Sequence, residues 1–211
     1  MATAVFRKFF AFIALVVPMG AAALTAVPAA AQFQSDGYKF LEAVKENEGD
    51  IVTEALKEPG SVVVNTRDIT TGETALHIVA KRRDTQWVKF LTAYGANPNI
   101  ADRNGLTPLQ IVATLGAVDA AEALIDAGAI IDKTNSSGET PLITAIHRKD
   151  VAMARLLLSK GASADRSDNS GRTGRDYIAL QTGNSLMLNE LKKADEARAN
   201  AGPTQTYGPQ F

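Results

Sequence analysis

Four glycines, Gly72, Gly105, Gly138 and Gly171, stand 33 residues apart, and this step constrains the fold more than any other feature of the chain. Thr74, Thr107, Thr140 and Thr173 keep the same step, as do Leu76, Leu109 and Leu142. Later in each period come Gly95-Ala96, Gly128-Ala129 and Gly161-Ala162, with Asn99, Asp132 and Asp165 behind them. So many series in one phase exclude coincidence. A module this short cannot bury an apolar face alone, so successive copies must stack side by side.

Each period has a physical reading. The Gly-x-Thr-x-Leu stretch opens with a turn glycine, and the threonine hydroxyl then accepts from amides exposed in the first turn of a helix. Pro108 and Pro141 fall just inside that helix, where a missing N–H costs nothing. A short first helix follows, marked by Leu109, Ile111, Val112 and Ala113. A second helix shows apolar residues three and four apart: Trp87, Val88, Phe90 and Leu91, then Val118, Ala121, Leu124 and Ile125, then Val151, Ala154, Leu157 and Leu158. Gly95, Gly128 and Gly161 come just past these helices, at the position of a left-handed cap. Polar stretches such as Asn97-Pro98-Asn99 link the units. Trp87 aligns with Ala120 and Met153 and reads as core.

Thr74-Ala75-Leu76-His77, Thr107-Pro108-Leu109-Gln110 and Thr140-Pro141-Leu142-Ile143, each followed by Gly-Ala and an Asn or Asp, resemble the ankyrin repeat. The resemblance covers about residues 37–195. It implies an all-α solenoid of stacked helix-turn-helix units, with β-turn fingers projecting to one side. Residues 70–102, 103–135 and 136–168 are three regular repeats. Residues 37–69 form a degenerate first repeat, and the spacing from Asn65 to Gly72 is one residue longer than that from Asn99 to Gly105. Residues 169–195 form a last repeat in which Arg175 replaces the leucine, and both outer units read as polar caps. Residues 196–211, with Gly202-Pro203 and Gly208-Pro209, read as a flexible tail.

The N-terminus reads as a signal peptide over residues 1–31, followed by a short linker at 32–36. Arg7 and Lys8 precede an uncharged run that ends in Pro28-Ala29-Ala30-Ala31, and the expected cut follows Ala31. The competing reading is an uncleaved anchor in the inner membrane, since the run is long enough to span; Pro18, Gly20 and its alanine-rich second half weaken it. The style of the signal looks bacterial, so the expected destination is the periplasm or the outside, with no membrane contact after cleavage.

Charge and composition narrow the function. The whole chain carries −1, and residues 32–211 hold 20 basic against 23 acidic side chains, a balance unsuited to nucleic acid. There is no cysteine, which excludes disulfides, thiol nucleophiles and Cys-based metal sites. Only two histidines occur, His77 and His147, too few to build a metal centre alone. In the family that the chain resembles, the histidine of the Thr-Ala-Leu-His motif hydrogen-bonds neighbouring turns, and His77 takes that role. Asp165, Asp168 and Asn169 lack the glycine and distal glutamate of a calcium loop. No phosphate-binding loop or nucleophile elbow appears. No enzyme and no cofactor is expected.

Binding to another protein remains, by a monomer. The resemblance places the partner against the fingers and the outward side of the first helices. The residues singled out there are Lys81, Arg82, Arg103, Asn104, Leu106, Leu115, His147 and Arg148. Leu106 and Leu115 make an apolar spot on the central unit, flanked by Lys81-Arg82-Arg83 and His147-Arg148-Lys149. The expected partner surface is acidic and partly apolar; the alternative is that these cations only solvate helix C-termini. Reversing Arg82, Arg103 and Arg148 together is expected to abolish capture without changing the fold. The chain resembles exported bacterial ankyrin proteins, which implies an adaptor or protector of a partner protein, linked to oxidative-stress defence. An inhibitor or immunity protein occluding an active site is the alternative.

Overall fold

A computed structural model of the chain describes residues 36–58, 62–181 and 185–201. The segment read as a signal peptide, nearly all of the linker, and residues 202–211 of the tail lie outside the described residues. The remainder forms five helix pairs in chain order. They are α1 (Asp36–Glu46) with α2 (Gly49–Lys57), α3 (Ala75–Lys81) with α4 (Thr85–Ala93), and α5 (Pro108–Leu115) with α6 (Val118–Asp126). α7 (Pro141–His147) with α8 (Val151–Ser159), and α9 (Gly174–Leu180) with α10 (Ser185–Ala201), complete the set. No strand occurs among the described residues; one isolated antiparallel bridge joins Ser167 and Thr173.

A finger precedes each inner helix from α3 onward, and one side chain builds its turn. The Oδ1 atom of Asp102 accepts from the amides of Asn104 and Leu106, both at 2.8 Å. Asn135 does the same for Ser137 and Glu139 at 2.9 Å, and Asp168 for Ser170 and Arg172 at 2.8 and 3.1 Å. In the first finger Asp68 accepts from Thr70 and Thr71. There the closing bond runs from the Asp68 amide to the Glu73 carbonyl, against Asp102 to Leu106 in the next. The extra residue noted between Asn65 and Gly72 therefore enlarges this finger. Ile69 stands 87% exposed on it.

Each finger delivers the chain to an inner helix opened by threonine. The hydroxyls of Thr107, Thr140 and Thr173 accept from the amides of Gln110, Ile143 and Asp176 at 3.2–3.3 Å. The prolines sit at the first turns of α5 and α7, as the sequence predicts. A left-handed residue then turns the chain into the outer helix: Arg83 at φ 59°, Gly116 at 71° and Lys149 at 57°. The inner helices stack in the order α1, α3, α5, α7, α9, and the outer helices α4, α6, α8 and α10 pack behind them. Leu76, Leu109 and Leu142, each 1% exposed, line up along the core, with Leu91, Leu124 and Leu157 fully enclosed beneath.

A ladder of side chains ties each unit to the next. The Oδ1 atom of Asn65 accepts from the Asn97 amide at 2.7 Å, while its Nδ2 donates to the Gly95 carbonyl at 3.2 Å. Asn99 repeats both bonds on Ile130 and Gly128 at 2.7 and 2.9 Å. Asp132, which has no donor, accepts from Ser163 alone at 3.0 Å.

The ends are sealed differently. At the first unit Phe40, Leu41, Ala43 and Val44 are buried while Lys39, Lys45 and Glu46 face water. At the other end α10 lays Met187, Leu191 and Ala194 against the core and packs along α8. Glu190 clamps it there, receiving both Nε and Nη2 of Arg155 at 3.1 Å. Arg175, the replacement for leucine, forks onto both carboxylate oxygens of Asp195 at 2.7 Å and reaches Asp165. α10 also runs on to Ala201, so residues 196–201 are helix where the sequence reads as tail. Alanines favour the helix there, and Arg198 ties it to Asp195 and to the Ala162 carbonyl.

One helix start is left unfinished. Asp84 and Asp150 cap α4 and α8, accepting from the Trp87 and Met153 amides at 3.1 and 3.0 Å. The equivalent residue of α6 is Ala117, with φ −86° and ψ 79° where the two aspartates have about the same backbone. Ala117→Asp is therefore expected to add about 1 kcal/mol of stability and to raise the midpoint of thermal unfolding by roughly 2–4 °C. Circular dichroism melts of the two chains measure it, and an unchanged midpoint would show that the site does not accept a cap.

Candidate functional site

His77 is the most buried titratable group, with no exposed surface. Its Nδ1 atom accepts from the Thr74 amide at 3.0 Å and from the Thr74 hydroxyl at 2.9 Å, so the proton lies on Nε2, which donates to the Leu106 carbonyl at 3.0 Å. The ring thus bolts one unit to the finger of the next, the structural role expected of it. Gln110 does the same one repeat later, its Nε2 donating to the Glu139 carbonyl at 2.8 Å and that of Lys133 at 3.1 Å. Burial is the main cause that lowers the His77 pKa below its ordinary 6.5. The unfolded chain takes up a proton below about pH 6.5 that the folded chain refuses, so this contribution is complete above that pH and is lost as the solution is acidified. His77→Gln keeps a donor and removes the titration. Its urea-unfolding free energy is expected to fall less than the parent's between about pH 7 and about pH 5; parallel profiles would count against the assignment.

The outward side of the inner helices and the finger tips carry the residues picked out for binding, and they divide into two kinds. Some are already engaged, within a unit or between units. Lys81 pairs with Glu73. Arg82 donates through Nη1 to the Val44 carbonyl at 2.6 Å, closing the open end of α1, and its guanidinium lies 5.5 Å from the Trp87 ring centre. The Arg103 guanidinium donates to the Ile69 carbonyl of the preceding finger, and its amide to Thr71 at 2.9 Å. Leu106 and Leu115 are half-buried and pack against the core, so they do not form the exposed apolar spot that the sequence suggested. Reversing Arg82 and Arg103 would break contacts between units, and that combination is no clean test of binding.

The others are open. Asn104 is exposed on its finger, with its amide bound inward to Asp102. His147 is exposed, its Nδ1 3.4 Å from Glu139 and its ring edge-on to Tyr177 with centroids 4.3 Å apart. The Arg148 side chain is exposed, with no hydrogen bond or ion pair among the described residues. One group escaped the sequence reading: Tyr177, whose hydroxyl donates to Asp168 at 2.6 Å and whose ring centre lies 6.0 Å from the guanidinium of Arg172, a finger residue. The Tyr177 and Ser170 hydroxyls hold the Asp168 carboxyl well below the usual carboxylate range. No group of three or more His, Asp or Glu suited to a metal occurs among the described residues.

Comparison with known families matches this architecture. Residues 40–135 match a model described as ankyrin repeats (3 copies), and residues 137–169 match the ankyrin repeat. The chain belongs to the ankyrin-repeat family. It is 41% identical over 70 residues to the regulatory protein NPR6 of Arabidopsis thaliana, covering 33% of this chain and 15% of that one. It is 42% identical over 48 residues to the putative ankyrin repeat protein FPV031 of Fowlpox virus (strain NVSL), covering 23% and 14%. The human ARF GTPase-activating protein GIT1 is 38% identical over 55 residues, 26% of this chain and 7% of that one. The chain thus spans no more than about a seventh of these relatives, and the likeness is to ankyrin repeats alone. Ankyrin repeats mediate binding to other proteins and are generally scaffolds without catalysis.

Across the four ankyrin fingers, exposure and variety coincide. The positions held by Lys81, Thr114, His147 and Leu180 are exposed in every unit, and so are those held by Thr71, Asn104, Ser137 and Ser170. The buried positions instead repeat their residue type: Leu at 91, 124 and 157, and Ala at 96, 129 and 162.

Proposed function

We propose that this chain is an exported adaptor or protector that holds a partner protein against its fingers and inner helices. The observation that carries this is the contrast between the two sets of repeat positions. Packing dictates the residue where the chain is buried, whereas one exposed position takes lysine, threonine, histidine and leucine in turn. Side chains released from packing in a rigid array are free to complement another surface, and a preformed surface loses little entropy on binding. Export rests on Arg7, Lys8 and the apolar run ending at Ala31.

Two measurements test this. A photo-crosslinking residue at Thr114, exposed on the inner side, should trap a partner in the native cell, whereas one at Glu122 on the outer helix α6 should not. Crosslinks from Glu122 alone would remove the inner face from consideration. The protein recovered from the cell envelope should begin at Gln32; a chain that keeps residues 1–31 would overturn export by cleavage.

A further inference from the structure

The stretches that make the fingers and inner helices, residues 66–83, 99–116, 132–149 and 165–181, hold eleven Arg and Lys against eight Asp and Glu. The first unit, residues 36–58, holds three Lys against seven acidic residues, and α6 holds three acidic residues and no base. A chain of net negative charge therefore turns a net positive side inward. That alone selects no site, because much of this charge is already used. Arg67 donates to the Gly72 and Ala101 carbonyls at 3.1 and 2.7 Å, and Lys133 to Asn99 at 2.9 Å. Lys81, Arg82, Arg103 and Arg175 are engaged as described above.

Arg83 in the second unit and Arg166 are also exposed and unpaired among the described residues, but most of the unspent charge collects in the fourth and fifth units. Arg148 and Lys149 are exposed, and their side chains have no hydrogen bond or ion pair among the described residues. Arg172 is exposed too and lies over the Tyr177 ring. After the Thr173 amide and hydroxyl, its charge helps lower the Asp176 pKa, but it makes no ion pair within 4 Å among the described residues. The carboxylates of the same two units are taken up by their own loops. Glu139 faces His147 and the Asn135 amide group, Asp168 accepts from Tyr177 and Ser170, and Asp176 from the amide and hydroxyl of Thr173 at 2.8 and 2.7 Å. An incoming carboxylate thus meets free donors, while an incoming cation must displace bonds already made. Between the cations stand the edge-on His147–Tyr177 pair and Leu180, which is 64% exposed where His147 stands one repeat earlier. Arginine beside an aromatic ring held by its hydroxyl has the composition and rigidity of a binding hot spot.

We infer that the fourth and fifth units dock an acidic segment of the partner protein that carries a large apolar side chain. Arg148, Lys149 and Arg172 take the carboxylates, and His147, Tyr177 and Leu180 take the apolar group. This rests on the protein-binding reading above and adds to it where the partner sits and what it must offer. The acidic first unit repels the same segment and so favours the other end of the stack. Nucleic acid fits poorly, since so few free cations release few counterions and the acidic first unit repels a polyanion along the same stack.

Fluorescence anisotropy of the full chain tests it with three labelled peptides: one alternating glutamate with leucine and tryptophan, one with glutamine for glutamate, one with lysine. A labelled single-stranded oligonucleotide is the fourth probe. The acidic peptide should bind at least tenfold more tightly than the other peptides and the oligonucleotide, and more weakly as salt is raised. R148E/R172E should lose at least tenfold in affinity for it, with its urea-unfolding midpoint kept, and Leu180→Ser should lose several-fold. K192E, on the exposed side of α10, should bind as the parent does. If R148E/R172E fails to fold, R148Q/K149Q must show the same direction of loss. Equal binding of the three peptides, tighter binding of the oligonucleotide, or full affinity in R148E/R172E would overturn the inference. A crosslink from Thr114 with no preference for acidic peptides would leave the inner face as the binding side and remove only this assignment.

Discussion

Leu109→Ala is expected to destabilise the chain by about 2–5 kcal/mol and to lower its unfolding midpoint by roughly 5–15 °C. Leu109 is 1% exposed and belongs to the third of five units, where α5 packs against α3 on one side and α7 on the other. Removing its side chain leaves a cavity whose walls are held by helices on both flanks, so little collapse can refill it. In a linear stack each unit is stabilised chiefly by its neighbours, so a weakened centre loosens two interfaces at once. Leu115→Ala at the end of the same helix is half-exposed and should cost far less. Urea denaturation of the two variants gives the comparison. Similar losses for both would mean that the central unit is not the keystone of the array.

The second large effect belongs to Gly138→Ala, expected to cost about 2–4 kcal/mol from a left-handed backbone and a collision together. Gly138 has φ +77°, and a Cβ there would lie 2.6 Å from the Asn169 amide nitrogen and 2.4 Å from its Oδ1. The nitrogen cannot move away freely. Its N–H donates to the Ser137 carbonyl at 3.1 Å, and the Asn169 Nδ2 donates to Ser136 at 3.1 Å, so these bonds hold the fourth and fifth fingers together. The methyl group should therefore separate the last unit before it disturbs the others. Hydrogen exchange reads this directly: amides of α9 should exchange much faster in the variant while those of α3 change little. Uniform acceleration would mean that the fingers do not couple the units individually.

Where a position repeats its residue type, its role could be read from sequence. Leu76, Leu109 and Leu142 are buried at one step, and the Thr-Pro pairs open α5 and α7 where the motif places them. Reading failed where a contact joins two residues that share no repeat position. Arg82 sits in a run of three cations, read as contacting a partner or else as solvating a helix end, and its target is a carbonyl at the end of α1, in a unit that has lost the period. Arg103 donates to the Ile69 carbonyl on the enlarged preceding finger, a target at no repeated position. Leu106 looked exposed because turns are polar, yet its backbone is bound on both sides, to Asp102 and to His77, which leaves the side chain half-buried. The His147–Tyr177 pair joins consecutive units one helical turn out of register, a relation that no alignment of the repeats displays. The grip of α10 on Arg155 and Arg175 was hidden for a related reason, since its residues follow no step that a series could reveal.

The ladder running through Asn65, Asn99 and Asp132 gives this array a capacity for growth. Every rung binds only the unit immediately after it, through a backbone amide that any copy would supply, joined at Asn65 and Asn99 by a backbone carbonyl. A duplicate of residues 103–135, spliced in after residue 135, would present the same following rung. On its leading side it would meet Asp132 in place of Asn99, keeping the amide bond and losing only the one to the Gly128 carbonyl. Lengthening by duplication would thus widen the span available to a partner without asking any existing residue to change. The two sealed termini alone set where such expansion stops.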